Sequence, residues 1–404
     1  MNIPTIAPLP SFHHLKNALN LSHDLVAINS TQRRLIDRMT MRPVIDLDAY
    51  RFRAVIDWIE FKVHFGRRTQ VQHVQEVLRR LLSRDSHIKP VDPGPGSTFN
   101  SCSIRVQEPE SMALIEKIHV EFARTFGEAA GSLVTGIEIS VDAYPKKPSD
   151  RTRATLLGAL QRTIWTDRDL WSNPDSRPRT VFDKGSGVTT KKLSPGRDKD
   201  STGLSRLVPE NHDAPFIDGT MYLGARDDDV MIRIMDKVKD RQRPDLTYDA
   251  LSDNRKRVRI EVTLKGSAPF LLGITDVPSL RRMKITSIKK RFFQFKIPTF
   301  SRRTPIRTGA DLMHNAREVW RAQTYLRAGI GGLMTMEKAG DAYRKTLLPD
   351  LRKTRRTLKR LGPRKWGGKR LAPALVSWTG LNQKVDAAIR QLDKREKTAW
   401  KERS

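Results

Sequence analysis

Two segments carry a clear strand pattern: GTMYLGARDDDVMIRIMDK at residues 219–237 and RVRIEVTLKG at residues 257–266. Apolar and polar residues alternate over 230–235 and again over 258–264, and residues 220–225 are rich in strand-forming types. Alternation with a period of two is typical of strands. The pattern therefore predicts three neighbouring strands of an antiparallel sheet, with Arg259, Glu261 and Thr263 on one face.

Strand-like and helix-like segments alternate upstream of this stretch. The period-two pattern predicts strands at residues 55–65, 99–106 and 133–141, and helical spacing of apolar residues predicts helices at residues 69–82, 110–126 and 151–165. Hairpins rather than strict parallel units favour the α+β class. We predict an antiparallel-sheet core of the ferredoxin-like or duplicated split-βαβ type.

Composition divides the chain into three predicted parts. Residues 1–50 have the scattered polar residues of an N-terminal arm, with a short helix near residues 30–39. Residues 51–300 form the α+β domain, interrupted at 172–215 by a polar insertion rich in Gly, Pro and Ser, which is typical of a flexible segment. Residues 301–404 form a basic helical region, with helices at 312–328, 336–348, 351–361 and 381–400.

The charge of the chain points to a polyanionic partner. The formal net charge is +30, and residues 302–404 alone hold 26 Lys and Arg against 9 Asp and Glu. Nucleic acid is the expected partner of so basic a protein, so we predict that the C-terminal region binds DNA. The alternative is a solvated helical hairpin with no ligand.

Other classes of protein are disfavoured by what the sequence lacks. No apolar run approaches the length of a membrane span, and the N-terminal residues do not resemble a secretory signal, so we expect a cytoplasmic protein of a bacterial cell. A single cysteine, Cys102, excludes a disulfide scaffold and a cysteine-based zinc site.

Tyr222 is the candidate nucleophile of the opening stretch. Arg226, Arg233 and Lys237 follow it within two predicted strands. A tyrosine can attack phosphorus when nearby cations or a metal stabilise the charge on the phosphoryl oxygens. The alternative is that Tyr222 is an ordinary strand residue that packs against its neighbours.

Three carboxylates are candidate metal ligands. Glu138 and Asp142 fall on one face of the strand predicted over 133–141 and the residues just after it, because side chains alternate along a strand. Glu261 on another strand supplies a third oxygen ligand of the kind that Mg²⁺ or Mn²⁺ prefers. The alternative is that they are solvent-facing strand residues.

These motifs together resemble the replication-initiation factor (Rep_trans) family of rolling-circle plasmids and filamentous phages. The family shows T-x-Y-x-G-x-R, then R-x-Y-x-K, then a strand with a basic-Ile-Glu sequence, and this chain has TMYLGAR, RIMDK and RIEVTLKG. GIEISVD at 136–142 and VIDWIEFKV at 55–63 are similar to earlier strands of the family. The resemblance covers residues 55–265.

The resemblance implies a rolling-circle replication initiator that acts as a metal-dependent nicking-closing endonuclease and strand transferase. Residues 51–300 would be its nicking domain, and Tyr222 would form a 5′-phosphotyrosine and leave a 3′-OH primer. Arg226, Arg233 and Lys237 would bind phosphate. Glu138, Asp142 and Glu261 would hold Mg²⁺ or Mn²⁺. Its partners would be the origin duplex, the single-stranded nick site, a host helicase and polymerase, and a second copy of itself in a homodimer.

Two departures from the family pattern bear on the site. Met235 stands where the family often has a second tyrosine, and Glu138 stands where aspartate is common. Two alternatives stay open: a relaxase that starts conjugative transfer of an integrative element, and a DNA-binding regulator without catalytic activity.

Overall fold

The structure, a computed structural model, describes residues 2–9, 19–33, 35–91, 93–170, 173–183, 188–192, 220–242, 248–302, 305–346 and 375–402. The strands in these residues, numbered along the chain, are β1 (Ile6–Pro8), β2 (Asn20–Ala27), β3 (Arg38–Pro43), β4 (Tyr50–Thr69), β5 (His87–Pro90), β6 (Phe99–Gln107), β7 (Glu128–Pro145), β8 (Ile164–Trp165), β9 (Arg179–Asp183), β10 (Val188–Lys192), β11 (Thr220–Leu223), β12 (Val230–Lys237), β13 (Lys239–Gln242), β14 (Tyr248–Ala250), β15 (Arg257–Lys265), β16 (Gln294–Ser301) and β17 (Leu375–Ser377). The α-helices are α1 (Val71–Leu82), α2 (Met112–Phe126), α3 (Asp150–Thr163), α4 (Ser287–Phe292), α5 (Gly309–Thr346) and α6 (Thr379–Lys401).

The chain folds into two compact units, each built from three separate segments. The first unit comprises Met1–Asp46, Ser149–Tyr222 and Gln294–Thr379, and the second comprises Leu47–Pro148, Leu223–Phe293 and Gly380–Ser404. Antiparallel strands and helices occur in both, so the predicted α+β class is confirmed. The finer ferredoxin-like or split-βαβ assignment is not shown: β4 and β6 flank α1 and pair directly with each other.

The first unit is organised around an antiparallel sheet of order β1-β2-β3-β16-β17, in which β8 also pairs with β16. In β2, Leu21 and His23 are buried while their neighbours are exposed. This alternation was not predicted from the sequence. The short helix predicted near residues 30–39 is therefore wrong, because Arg38 already begins β3 and the preceding residues form a turn.

In the second unit, six antiparallel strands of one sheet lie in the order β12-β15-β7-β4-β6-β5. The strands predicted over 230–235 and 258–264 are confirmed as β12 and β15, which pair with Arg233 opposite Glu261. β15 pairs on its other side with β7. Because side chains alternate, Ile260 and its apolar neighbours line one face, whereas Arg259, Glu261 and Thr263 line the other.

Helix α2 covers the apolar face of this sheet. Its Phe122 and Phe126 rings lie 5.8 Å and 4.9 Å from the ring of Phe65 on β4. Ser111 precedes the helix and accepts a hydrogen bond from the amide of Leu114, as N-terminal capping residues do. One face of the sheet is thus closed by a helix, and the polar side chains lie on the other.

The C-terminal region contributes helices to both units. Helix α5 belongs to the first unit and α6 to the second. In the second unit, a carboxylate oxygen of Glu396 on α6 accepts a hydrogen bond of 2.8 Å from the amide of Met112, which begins α2. The helices predicted at 312–328 and 381–400 are confirmed, but the one predicted at 351–361 lies outside the described residues.

A glycine breaks helix α5. Gly329 has a φ of +66°, and a Cβ there would lie 2.4 Å from the Cα of Arg162. The buried guanidinium of Arg162 donates to the carbonyl of Leu326 over 2.8 Å, so a carbonyl near the break has a donor. Burial lowers the pKa of Arg162 to about 10.

The predicted insertion is described only in part. Strands β9 and β10 lie within residues 172–215, and residues 193–215 fall outside the description. Among the helices that the structure describes, none is long and apolar enough to cross a membrane.

Replacing Ile260 on β15 with alanine should lower the free energy of unfolding by about 2–5 kcal/mol, because a fully buried side chain leaves a cavity. Chemical denaturation measures the change. Val120→Ala is the control, since that side chain is 59% exposed on α2. Equal losses in the two variants would contradict the described apolar face.

Candidate functional site

Strand register brings the polar residues of the second unit into one region of its sheet. Glu261 on β15 lies opposite Arg233 on β12 and opposite Ser140 on β7. Glu138 on β7 lies opposite Thr263, whose hydroxyl donates a hydrogen bond to its carboxylate. Glu138 and Glu261, predicted from sequence to lie near each other, are therefore on adjacent strands and the same face.

A β-bulge adds a third carboxylate to this region. Ile56 pairs with Ile139 and Trp58 pairs with Glu138, so Asp57 is an extra residue in β4. Bulges change the direction of a side chain next to a site. Asp57, Glu138 and Glu261 each offer an oxygen, and these oxygens lie within 4.8 Å of one another. We call these three residues the carboxylate group.

Two arginines balance part of the negative charge of the carboxylate group. The Nε of Arg233 donates a hydrogen bond to Glu261. The Nη1 of Arg259 donates to Oδ1 of Asp57 over 2.6 Å and lies 3.6 Å from Oε1 of Glu261. Three carboxylates and two guanidiniums in contact leave one negative charge when all are ionised.

Burial and mutual repulsion favour the neutral forms of two of the carboxyls. Glu261 is only 1% exposed. Burial raises its pKa to about 7, with Glu138 and Asp57 adding to the rise and Arg233 and Arg259 opposing it. Burial likewise raises the pKa of Glu138, against the hydrogen bond from Thr263. Paired carboxyls with raised pKa values are a feature of functional sites.

The donor set fits a hard divalent cation. Such ions take oxygen ligands, and a positive ion would offset the burial and the mutual repulsion that raise the pKa values of Glu138 and Glu261. The hydroxyl of Ser140, opposite Glu261, is buried and has no hydrogen-bond partner among the described residues. The carboxylate group could therefore hold a metal ion.

Asp142, the third ligand predicted from sequence, is engaged elsewhere on the same face. Its oxygens accept hydrogen bonds of 2.6 Å and 2.8 Å from Arg259, and Nε of Arg257 lies 3.0 Å away. The hydroxyl of Tyr144 donates to it over 3.3 Å. The structure thus groups Asp57, not Asp142, with the two glutamates, and a ligand role for Asp142 stays a prediction.

Asp57 was missed because the sequence gives only a weak signal. It interrupts the apolar pattern of VIDWIEF, and regular alternation places it on the same face as Ile59 and Phe61. The bulge places the carboxylate of Asp57 with the polar side chains instead. An acidic residue on a strand face that was otherwise predicted to be apolar was the one available sign.

Tyr222 lies in the first unit, on β11. Arg179 on β9 is directly opposite, and its guanidinium lies 4.8 Å from the centre of the Tyr222 ring. The tyrosine is half-buried. A cation over the ring face stabilises this side-chain position. The role of Tyr222 as a nucleophile stays a prediction.

The three basic residues predicted to bind phosphate belong to the second unit. Arg226 is exposed in the turn between β11 and β12, and Lys237 ends β12 opposite Arg257. Gly224 shapes this turn with a φ of +99°, where a Cβ would lie 2.7 Å from the carbonyl oxygen of Val230. Arg233 already contacts Glu261, and a phosphate role for all three residues stays a prediction.

No family model matches the chain, and no curated protein matches its sequence. Its structure is similar to that of a rolling circle replication initiator protein from Geobacillus stearothermophilus, with 11% identity over 69% of this chain and 97% of that one, at a TM-score of 0.27. It is also similar to the class II 3-hydroxy-3-methylglutaryl-CoA reductase from Streptococcus pneumoniae bound to NADPH, with 11% identity over 100% and 89% of the two chains, at a TM-score of 0.17. Both TM-scores are low, so neither similarity establishes a shared fold.

The raised pKa of Glu261 predicts how stability depends on pH without metal. The neutral buried carboxyl stabilises the fold below the ordinary pKa of 4.5, and this contribution is lost as pH rises through about 7. The free energy of unfolding in EDTA should therefore fall by about 3 kcal/mol between about pH 5 and about pH 8. Glu261→Gln should flatten this dependence in denaturation experiments.

Glu76→Gln is the control for this pH series, because the Glu76 side chain is 63% exposed. It should keep the wild-type slope. A Glu261→Gln variant with the wild-type slope would contradict the assignment.

If the carboxylate group holds a divalent ion, Mn²⁺ should raise the melting temperature of the wild-type protein, because a ligand of the folded state stabilises it. Asp57→Asn should weaken Mn²⁺ binding by about tenfold or more, as measured by calorimetry. Asp253→Asn is the control, because the side chain of Asp253 is 76% exposed. Equal Mn²⁺ affinities of the wild type and Asp57→Asn would exclude Asp57 as a ligand.

Proposed function

We propose that the protein is a metal-dependent DNA-nicking endonuclease and strand transferase that initiates rolling-circle replication. The observation that carries this proposal is the buried carboxylate group on the polar face of the second unit, held by Arg233 and Arg259. The sequence resemblance of TMYLGAR and RIEVTLKG to replication-initiation factors supports it, as does the net charge of +30.

The metal in this proposal is Mg²⁺ or Mn²⁺, held by Asp57, Glu138 and Glu261. When bound, such an ion withdraws charge from a phosphoryl oxygen of the DNA strand. Arg233 and Arg259 orient the carboxylates, because each guanidinium contacts at least one of them. Thr263 fixes Glu138 in the same way through its hydroxyl.

Tyr222 supplies the nucleophile. Its phenolic oxygen attacks phosphorus, gives up its proton to solvent, and forms a bond to the 5′-phosphate. The bond from phosphorus to the 3′-oxygen breaks, and that oxygen takes up a proton to become a 3′-OH primer. Arg226 and Lys237 bind the flanking phosphates as cations. The phosphotyrosine bond keeps the strand ready for rejoining.

The proposal implies several partners. The basic C-terminal residues bind the origin duplex through its phosphates, so duplex affinity should depend on salt. A host helicase and polymerase act on the nicked DNA in the bacterial cytoplasm, and two copies of the chain can act together. Relaxases of integrative elements use the same strand chemistry. The carboxylate group supports either of these enzymes over a regulator without catalytic activity.

Nicking of supercoiled DNA of the replicon that carries the gene tests this function. In Mn²⁺, the wild type should give nicked circles and a covalent protein–DNA adduct, visible as a shifted band on a denaturing gel. Tyr222→Phe should lose both, with a fall in rate of at least about 10³-fold, because the attacking oxygen is gone.

Tyr325→Phe is the matched control. It removes a buried hydroxyl that has no hydrogen-bond partner among the described residues of the same unit, so nicking should continue. Nicking by Tyr222→Phe at the wild-type rate would show that another residue is the nucleophile. A wild type that forms neither product would exclude the enzymatic function.

A further inference from the structure

A row of basic residues crosses the polar face of the second unit beside the carboxylate group. Lys237 on β12 lies opposite Arg257 on β15, and Arg51 on β4 lies opposite Tyr144 on β7. The guanidiniums of Arg51 and Arg257 lie 5.2 Å and 5.5 Å from the centre of the Tyr144 ring. We call these four residues, Lys237, Arg257, Tyr144 and Arg51, the basic row.

Positive charge exceeds negative charge on this part of the sheet. Asp142 is shared between Arg257 and Arg259, so one carboxylate serves two guanidiniums. Lys237, Arg51 and the neighbouring Arg53 have no carboxylate partner among the described residues. From the basic row to the carboxylate group, the face carries four carboxylates and six basic side chains: Asp57, Glu138, Asp142 and Glu261 against Arg51, Arg53, Arg233, Lys237, Arg257 and Arg259.

The like charges are close enough to influence one another. Arg395 on α6 donates to the backbone carbonyl of Ala54 beside Arg53. Burial lowers the pKa of Arg395, and the charge of Arg53 lowers it further. An anion bound at this end of the sheet would relieve that repulsion.

The dimensions of the basic row match a ligand with several phosphates. It crosses four adjacent strands, which at about 4.8 Å each gives a length of ~14 Å, and one phosphate cannot contact all of it. Arg257 is four positions before Glu261 on β15, a separation of ~13 Å. A chain of phosphates on the basic row can therefore extend to the carboxylate group.

The aromatic centre of the basic row favours an unpaired strand. Tyr144 is half-buried and Arg51 is exposed, and the Arg51 guanidinium lies 5.2 Å from the centre of the ring, so a ligand can reach this pair. Unpaired bases stack on tyrosine rings and on guanidinium planes, whereas the base faces of a duplex are covered by their neighbours.

We propose that the basic row binds the backbone of a single-stranded polynucleotide, with Tyr144 and Arg51 stacked on one of its bases. Lys237 and Arg51 contact separate phosphates, and Arg257 holds the position of Tyr144. This proposal deepens the proposed nicking function, and it rests on that function only to explain why the protein binds a single strand at this place. The binding itself does not require metal or Tyr222.

Fluorescence anisotropy with a labelled oligothymidylate of about 16 nucleotides tests the proposal, using the full chain in EDTA. Lys237→Gln and Arg51→Gln should each reduce the slope of log affinity against log salt by about 0.7, and the double variant by about 1.4, because each removes one phosphate contact. Lys117→Gln is the control, since Lys117 is exposed on α2, which covers the opposite face. It should leave the slope unchanged.

Two further variants separate stacking from hydrogen bonding at Tyr144. Tyr144→Leu should lower affinity about fivefold or more, because the base loses its aromatic partner. Tyr144→Phe keeps the ring and loses only the bond to Asp142, so its affinity should stay near that of the wild type. A loss of equal size in both variants would overturn the stacking role.

Unchanged salt slopes in Lys237→Gln and Arg51→Gln would overturn the basic row as a phosphate site. Equal binding of a duplex of the same length, with the same response to the variants, would overturn the assignment to single strands. Nicking assays on the same variants separate the two proposals. Normal strand binding by a wild type that cannot nick would exclude the nicking function alone, whereas nicking with unchanged slopes would exclude the basic row alone.

Discussion

The polar face of the second unit depends on the guanidinium of Arg259. It donates two hydrogen bonds to Asp142 and a third to Asp57, and it lies 3.6 Å from Glu261. Burial lowers the pKa of this group, but the hydrogen bonds and charges of its carboxylate partners outweigh burial and raise it above the ordinary value. A permanently charged, planar donor is suited to joining carboxylates from three strands. Loss of one partner in such a buried network costs several kcal/mol, because the remaining charges stay unpaired.

This network explains why the carboxylates fall into two groups. Asp142 has both oxygens occupied by Arg259, so it anchors the guanidinium and is less available to another cation. Glu138 has one arginine near its carboxylate, Arg233 at 3.9 Å, and burial raises the pKa values of both Glu138 and Glu261. Arg259 neutralises Asp142 at one end of the polar face. The other end, with Glu138 and Glu261, is left with less positive charge. A divalent ion there would complete the charge balance.

Local patterns in the sequence were enough to predict much of the second unit. Alternation over 258–264 identified β15, and its register follows from burial of Ile260 and Val262 on one face. The grouping of Glu138 with Glu261 followed from the same alternation on two strands. Asp57 could not be placed, because a bulge in β4 is decided by pairing with β7 and leaves no periodic signal. The same limit explains why the position of Asp142 was not predicted. Its pairing with Arg259 depends on the register of β15 against β7, which the alternation does not give.

Charge and composition were less informative about the ends of the chain. Residues 20–43 contain two strands of a sheet, although their polar content suggested an arm. Basic residues at 302–404 indicated a DNA-binding region, yet Lys384 of this region pairs with Asp48 in the second unit. A positive segment can therefore be part of a folded core as well as a surface for phosphate.

The contact between Glu396 and Met112 has a consequence for the order of folding. The carboxylate that satisfies the first amide of α2 comes from a residue 284 positions later in the sequence. During synthesis, α2 and the sheet it covers emerge long before that partner exists. Until α6 is made, the Met112 amide lacks this acceptor, whereas Ser111 already caps the same end of α2, and a contact of such high sequence separation slows folding. On the ribosome, the polar face and its carboxylate group would therefore form before α6 packs in the second unit. Late completion of this unit follows from the order of its segments along the chain.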